Sequence, residues 1–247
     1  GEIKNSKSNL KNLKQNCFKS LNEIKKLKVA VIGEIIIDEY IFTKEMDKPS
    51  KENINAVSYD DKREYYGGSF AIANQIAEYV KQVDLYSAGN FNKSLIRKFK
   101  NKKHKNISKI NIICNSFKTI KKSRYLNSSG RKLFEVYYRK GEDKIKNQKR
   151  FINLLEKNLK NYDLIILSDY GHGFFNSDLV NYFSKLKKVL AVNTQTNSDN
   201  RGFNLITKYR KANIICLDEV EIRLAMKNKS EKIEELVMRL YKKVKTD

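Results

Sequence analysis

The 247 residues are enough for one large α/β domain or two modest ones with a sizeable buried core. No apolar run approaches the roughly 18 residues of a membrane span, and the opening Gly1-Glu2-Ile3-Lys4 lacks the charged-then-apolar order of a secretory signal, so a soluble, cytoplasmic protein is expected. The formal charge of +23 invites a nucleic-acid partner, yet the lysines are scattered along nearly every predicted helix, the pattern of a solvated basic surface and not of a basic arm.

Along the chain, Leu10, Leu13, Cys17, Leu21 and Ile24 recur at three- and four-residue steps, which predicts an amphipathic helix over about Ser8 to Leu27. Residues 1–27 are therefore read as a leader helix or linker, and 28–247 as one domain. The run Lys28 to Asp38 is β-branched and almost wholly apolar, as expected of a parallel strand covered on both faces, with Asp38 closing it. Similar runs return at Val83–Ala88, Leu164–Leu167, Val189–Val192 and Ile214–Leu217. Helical patterns lie between most of them, at Ser69–Lys81, Lys93–Lys100, Gln148–Lys160 and Ser177–Lys187. This alternation predicts a doubly wound, mostly parallel sheet. Two stretches with polar alternation break it, Tyr40–Thr43 with Asn53–Tyr59 and Lys118–Leu126 with Lys132–Arg139, and predict a small antiparallel lid from about 40–60 and 117–140. After Ser230, Ile233, Leu236, Leu240 and Val244 mark one face of a last helix. Cys17, Cys114 and Cys216 are odd in number and far apart, which fits reduced, buried thiols and excludes a disulfide framework or a Cys-x-x-Cys metal site.

In an open α/β sheet, ligands sit beyond the carboxyl ends of the strands, so the residues just after each strand are the candidates. Asp38 is the first, as ligand-binding carboxylate or turn former. Gly67-Gly68 opens a small-residue helix that runs through Asn74, where a ligand can approach bare backbone and free N–H groups. Ser168-Asp169-Tyr170-Gly171-His172-Gly173 brings a second carboxylate and two glycines to the same edge, with His172 read as an ordinary loop histidine. Asn193 follows the next strand with neutral hydrogen-bonding groups. Asp218 and Glu221 begin a helix, explained either by the helix dipole or by a magnesium site.

These landmarks, in this order, with Lys122-Ser123-Arg124 and Lys132-Leu133-Phe134-Glu135 between them, resemble the ribokinase/PfkB carbohydrate kinases. The likeness runs from Lys28 to about Lys227 and is strongest to the heptose-phosphate kinase domain of ADP-heptose synthases. The resemblance implies a ribokinase-like fold with a β lid, ATP with Mg2+, and phosphoryl transfer to a hydroxyl of a sugar or sugar phosphate. It implies that Asp38, Gly67, Gly68 and Asn74 hold sugar hydroxyls and that Asp169 lies on the same side. Arg124, with Arg139 as a further candidate, would meet an anionic group, since a guanidinium fork suits phosphate. Asp218 and Glu221 would order the metal, Asp218 standing where the family has Asn, and Asn193 would lie on the nucleotide side. It further implies a homodimer through the lid and a fused or partnered nucleotidyltransferase. The family's late Gly-Ala-Gly-Asp loop, which supplies both anion hole and base, has no counterpart here, because the last glycine is Gly202. The chain is accordingly expected to be an N-terminal fragment, one piece of a split gene, or an inactive sugar-binding relative, and not to catalyse alone. A basic nucleic-acid-binding or scaffold module on the same fold is the alternative of a different class.

Overall fold

A computed structural model describes residues 2–47, 52–113, 116–142, 145 and 148–245. In chain order these form α1 (Glu2–Ile24), β1 (Lys28–Gly33), β2 (Ile35–Glu45), β3 (Val57–Gly68), α2 (Ser69–Ala77), β4 (Gln82–Ser87), α3 (Lys93–Lys102) and β5 (Ile107–Ile112). Then follow β6 (Thr119–Leu126), β7 (Lys132–Lys140), α4 (Gln148–Leu159), β8 (Leu164–Asp169), α5 (Ser177–Ser184), β9 (Val189–Thr194), β10 (Ile214–Ile215), α6 (Glu219–Met226) and α7 (Ile233–Val244).

Six strands make the main sheet in the order β10-β9-β8-β1-β4-β5, every pair parallel. The apolar run of β1 is explained by its central place. Val29 and Val31 pack into one layer with Phe70, Ala73 and Phe99, while Ala30 and Ile32 pack into the other with Phe151, Leu155 and Leu167. All four β1 side chains are fully buried, so alternation disappears. The chain moves from β1 to β4 on one side and later to β8 on the other, so the strand order reverses at β1. The carboxyl ends of β1 and β8, where Gly33 lies beside Ser168, therefore flank the crevice in which such sheets bind ligands.

The second sheet has the order β3-β2-β6-β7. It is mixed and not antiparallel throughout, because β2 and β6 run parallel from Ile36–Ile120 to Phe42–Leu126. The expected strand Lys28–Asp38 is in fact two strands in two sheets. Glu34 ends the first, since its buried carboxylate turns to accept the backbone N–H groups of Tyr170, His172 and Phe174 at 3.0, 3.1 and 3.2 Å. Asp38 thus lies inside the lid and does not close a strand of the main sheet. β5 was not foreseen: Val83 pairs with Ile107 and Asp84 with Lys109, so an irregularity at Ser108 interrupts the apolar alternation that resumes at Ile110 and Ile112, and the strand occupies the sheet edge. Leu236, Leu240 and Val244 bury the predicted face of α7. The exposed Leu13, Phe18, Leu21 and Ile24 show that this stretch of α1 does not dock on the domain. Cys17 and Cys216 are exposed, contrary to the buried thiols expected, and Cys114 lies outside the described residues.

Candidate functional site

The β2–β6 register places Asp38 beside Lys122 and Tyr40 beside Arg124, and the β2–β3 register places Asp38 beside Tyr65 and Ile36 beside Gly67. Alternation then puts Asp38, Tyr40, Phe42, Tyr65, Gly67, Lys122, Arg124, Glu135, Tyr137 and Arg139 on one face of the lid. Arg139 forms an ion pair with Asp199, in the loop after β9, so this face is turned toward the strand ends of the main sheet.

Asp38 is the hub. Its Oδ1 accepts from the Arg124 guanidinium at 2.5 Å, and Arg124 Nε reaches Glu135 at 2.6 Å. A Cβ on Gly67 would stand 2.5 Å from Asp38 Oδ2, so glycine is what admits the carboxylate there. Gly68 caps α2 at φ +63°, where a Cβ would lie 2.3 Å from the Glu34 carbonyl oxygen, and only glycine tolerates both. The carboxylate opens on a cleft of about 310 Å³ lined by Asp38, Tyr40, Phe42 and Tyr65. Tyr40 and Tyr65 meet edge to face at 5.7 Å, and Arg124 lies over the Tyr40 ring. A carboxylate acceptor between aromatic walls can bind polyhydroxylated rings: the oxygens take hydroxyl hydrogens and the rings cover C–H faces.

Beside this cleft stands a side chain that sequence reasoning did not single out as a site residue. Lys122 is 6% exposed, yet among the described residues no carboxylate oxygen lies within ion-pairing distance of it, and its ammonium sits over the Tyr137 ring. Burial pulls its pKa below the ordinary lysine range, against the attraction of Asp38 and Glu135. His172 is buried as well: Nδ1 lies 2.7 Å from Asp199, and Nε2 has no hydrogen-bond partner among the described residues. Burial lowers its pKa, opposed by the Asp199 bond and reinforced by the nearby Lys122. The signal for Lys122 was its shared parity with Arg124, which becomes informative only once β6 is known to pair with β2.

The other predicted residues are engaged in the fold. Asn74 does not reach the cleft; its amide donates to the Phe70 carbonyl and accepts from His104 N–H at 2.6 Å, tying α2 to the turn before β5. Asp169 is 1% exposed and accepts from Tyr209, Asn204, Lys208 and the Gly171 N–H, so it braces its loop and has no capacity left for a substrate. Asn193 donates to the Cys216 carbonyl at 2.8 Å across the β9–β10 edge. Asp218 and Glu221 form a reciprocal capping box, and both Glu221 oxygens accept backbone N–H groups, from Asp218 and Thr196. Both Glu221 oxygens are thus taken up by backbone N–H groups, and among the described residues no cluster of three His, Cys, Asp or Glu could hold an ion. Glu34, also missed, has its pKa pushed up to about 7 by burial and by Asp169.

No protein-family profile matches the chain. It is 31% identical over 231 residues to "Bifunctional protein HldE" of Aliarcobacter butzleri, covering 85% of this chain and 47% of that protein. The protein of the same name from Nitratiruptor sp. is 24% identical over 155 residues, 62% of this chain and 33% of its own length. The chain thus spans about half or less of the curated relatives it matches. Among solved structures, ribokinase from Giardia lamblia superposes with a TM-score of 0.59 at 15% identity, covering 88% of this chain and 70% of the ribokinase, a likeness of fold.

Proposed function

We propose that this chain, which belongs to the ribokinase/PfkB carbohydrate kinase family, forms the lid-bearing, acceptor-binding part of an ATP-dependent kinase for a sugar phosphate, a heptose phosphate in the resemblance described above. The observation that carries the reading is Asp38, clamped by Arg124 and admitted by Gly67, opening on an aromatic-walled cleft. Phosphoryl transfer depends on positioning and charge stabilisation. The chain's share is positioning: Asp38 accepts hydrogen bonds from acceptor hydroxyls, Tyr40 and Tyr65 cover the ring, and the cations of the lid face an anionic substituent. ATP is the phosphoryl donor that the resemblance implies, and Mg2+ its usual companion; the side chains of Asp218 and Glu221 act here as helix caps. A second copy against the outer lid face, which exposes Phe134 and Tyr138, and a nucleotidyltransferase partner complete the reading.

Calorimetry with sedoheptulose 7-phosphate, a commercially accessible heptose phosphate, tests it. The 247-residue chain should bind this sugar phosphate, and Asp38→Asn should weaken binding by about thirtyfold, the loss of about 2 kcal/mol in charge-assisted hydrogen bonds. No ATP-dependent phosphorylation is expected from these residues alone, since none follows Gly202 that could build a glycine-rich anion hole. Equal affinity of the two forms would remove Asp38 from the acceptor site, and turnover by the 247 residues would show that another loop cradles the phosphoryl group.

A further inference from the structure

The longest helix, α1, packs against none of the described residues over its second half. Every residue from Leu13 to Ile24 is exposed, Leu13 at 64% and Phe18 at 67%. Composition does little to hold such a helix by itself: Asn5, Asn9, Asn12, Asn16 and Asn22 are weak helix formers, and most helical stability in proteins comes from packing an apolar face. That face exists in the sequence. Ile3, Leu10, Cys17 and Ile24 stand seven residues apart, with Leu13 and Leu21 filling the same stripe, the repeat by which helices wind around each other. We propose that α1 pairs, parallel and in register, with α1 of a second copy of this chain, stripe against stripe.

The charges beside the stripe select both the occupant and its direction. With the seven-spaced residues at the centre, one flank carries Lys7, Lys14 and Leu21, and the other Glu2, Asn9 and Asn16. Parallel helices set each flank against the opposite flank of the partner helix, so Glu2 meets Lys7 of the second copy, Asn9 meets Lys14 and Asn16 meets Leu21. Antiparallel helices would set lysine against lysine, which is unfavourable. A membrane surface also takes basic amphipathic helices, but it draws cations to both borders of the apolar stripe, and here one border is neutral or acidic. Ser6 and Ser20 at the alternate core positions, in a helix of about three heptads, keep the pairing weak and concentration-dependent. Because α1 leads through residues 25–27 into the amino end of β1, the paired helices leave the sheet at the edge opposite the candidate site, and its cleft stays open.

Cross-linking of the unaltered 247-residue chain is the first test. Cys17 is exposed, and in-register pairing brings its two copies to the Cα separation of about 4.4–6.8 Å that a disulfide spans. Mild oxidation with copper phenanthroline should give a covalent dimer on non-reducing gels, retained when Cys114 and Cys216 are replaced by serine and lost in Cys17→Ser. In sedimentation velocity at low salt, Leu13→Glu should weaken assembly at least about tenfold. It should leave thermal unfolding of the domain unchanged, because Leu13 is exposed in the single copy. Asn9→Glu should tighten assembly about fivefold, since the new carboxylate meets Lys14 twice across the pair. Copies held together through the lid would survive Leu13→Glu, in which case halving of the assembled mass is the expected reading. Absence of the Cys17 cross-link although the thiol reacts with a maleimide, assembly untouched by Leu13→Glu, or Asn9→Glu no tighter than wild type would each overturn the parallel pairing. Binding to phosphatidylglycerol vesicles in place of self-assembly would assign α1 to a membrane and overturn it as well.

Discussion

The strand-end edge of the main sheet and the inner face of the lid both carry polar side chains, but they use them differently. At the edge, Asp169 is bonded by Tyr209, Asn204, Lys208 and Gly171, and Glu221 by two backbone N–H groups. On the lid, Asp38 faces an open cleft, and among the described residues Lys122 has no carboxylate within ion-pairing distance. A buried polar group whose partners are all within the protein supports the fold, and one with unused capacity is a candidate for binding. By this criterion Asp169 supports the fold and Asp38 is the candidate for binding, although both looked alike as carboxylates following apolar strands.

The sharpest way to break the contrast is to remove Asp169. Asp169→Ala leaves Lys208 without its carboxylate and strands the buried Tyr209 hydroxyl, while the Asn204 amide keeps the backbone carbonyl of residue 169, so unfolding in urea should show a loss of about 3–5 kcal/mol. Stability near wild type would return Asp169 to the list of binding residues. Glu34 gives a pH test of the same edge. Its pKa, raised to about 7 from 4.5, means that the folded state holds a proton more tightly than the unfolded chain. The stability from that proton is complete below about pH 4.5 and is lost as pH rises through about 7, a change of about 3 kcal/mol. Glu34→Gln should flatten this part of the stability profile. An unchanged slope would assign it to other groups.

Much of the architecture was legible because it depends on local patterning. β4, β8 and β9 are short apolar runs buried on both faces, and α3 to α5 carry apolar periodicity that the structure buries at Phe99, Phe151, Leu155, Leu179 and Phe183. The division at Glu34 was hidden because the residues on both sides, Val31-Ile32 and Ile35-Ile36-Ile37, are equally apolar, while the cause of the break is a loop more than 130 residues away. The site was legible in part. Asp38, Gly67, Gly68, Arg124 and Arg139 do converge, whereas Asn74, Asp169, Asn193, Asp218 and Glu221 have bonding partners that no spacing rule displays. Lys122 and His172 were passed over for the complementary reason. A lysine in a chain with 51 basic residues carries no signal until its burial is known.

Asn193 sharpens the comparison at its weakest point, where the expected effect is smallest. Its amide bonds the Cys216 carbonyl and supports β10, which has only two residues in the sheet. As a brace, Asn193→Ala should cost about 1 kcal/mol in urea unfolding, the worth of one partly exposed hydrogen bond, and hydrogen exchange should quicken at Cys216, whose N–H bonds the Val192 carbonyl beside it. A residue on the nucleotide side would behave otherwise. The same substitution would leave stability unchanged and weaken the binding of an ATP analogue, because a free amide that waits for a ligand contributes nothing to the unliganded fold. The two readings predict opposite changes in two measurements on one variant. The 2.8 Å bond favours the brace.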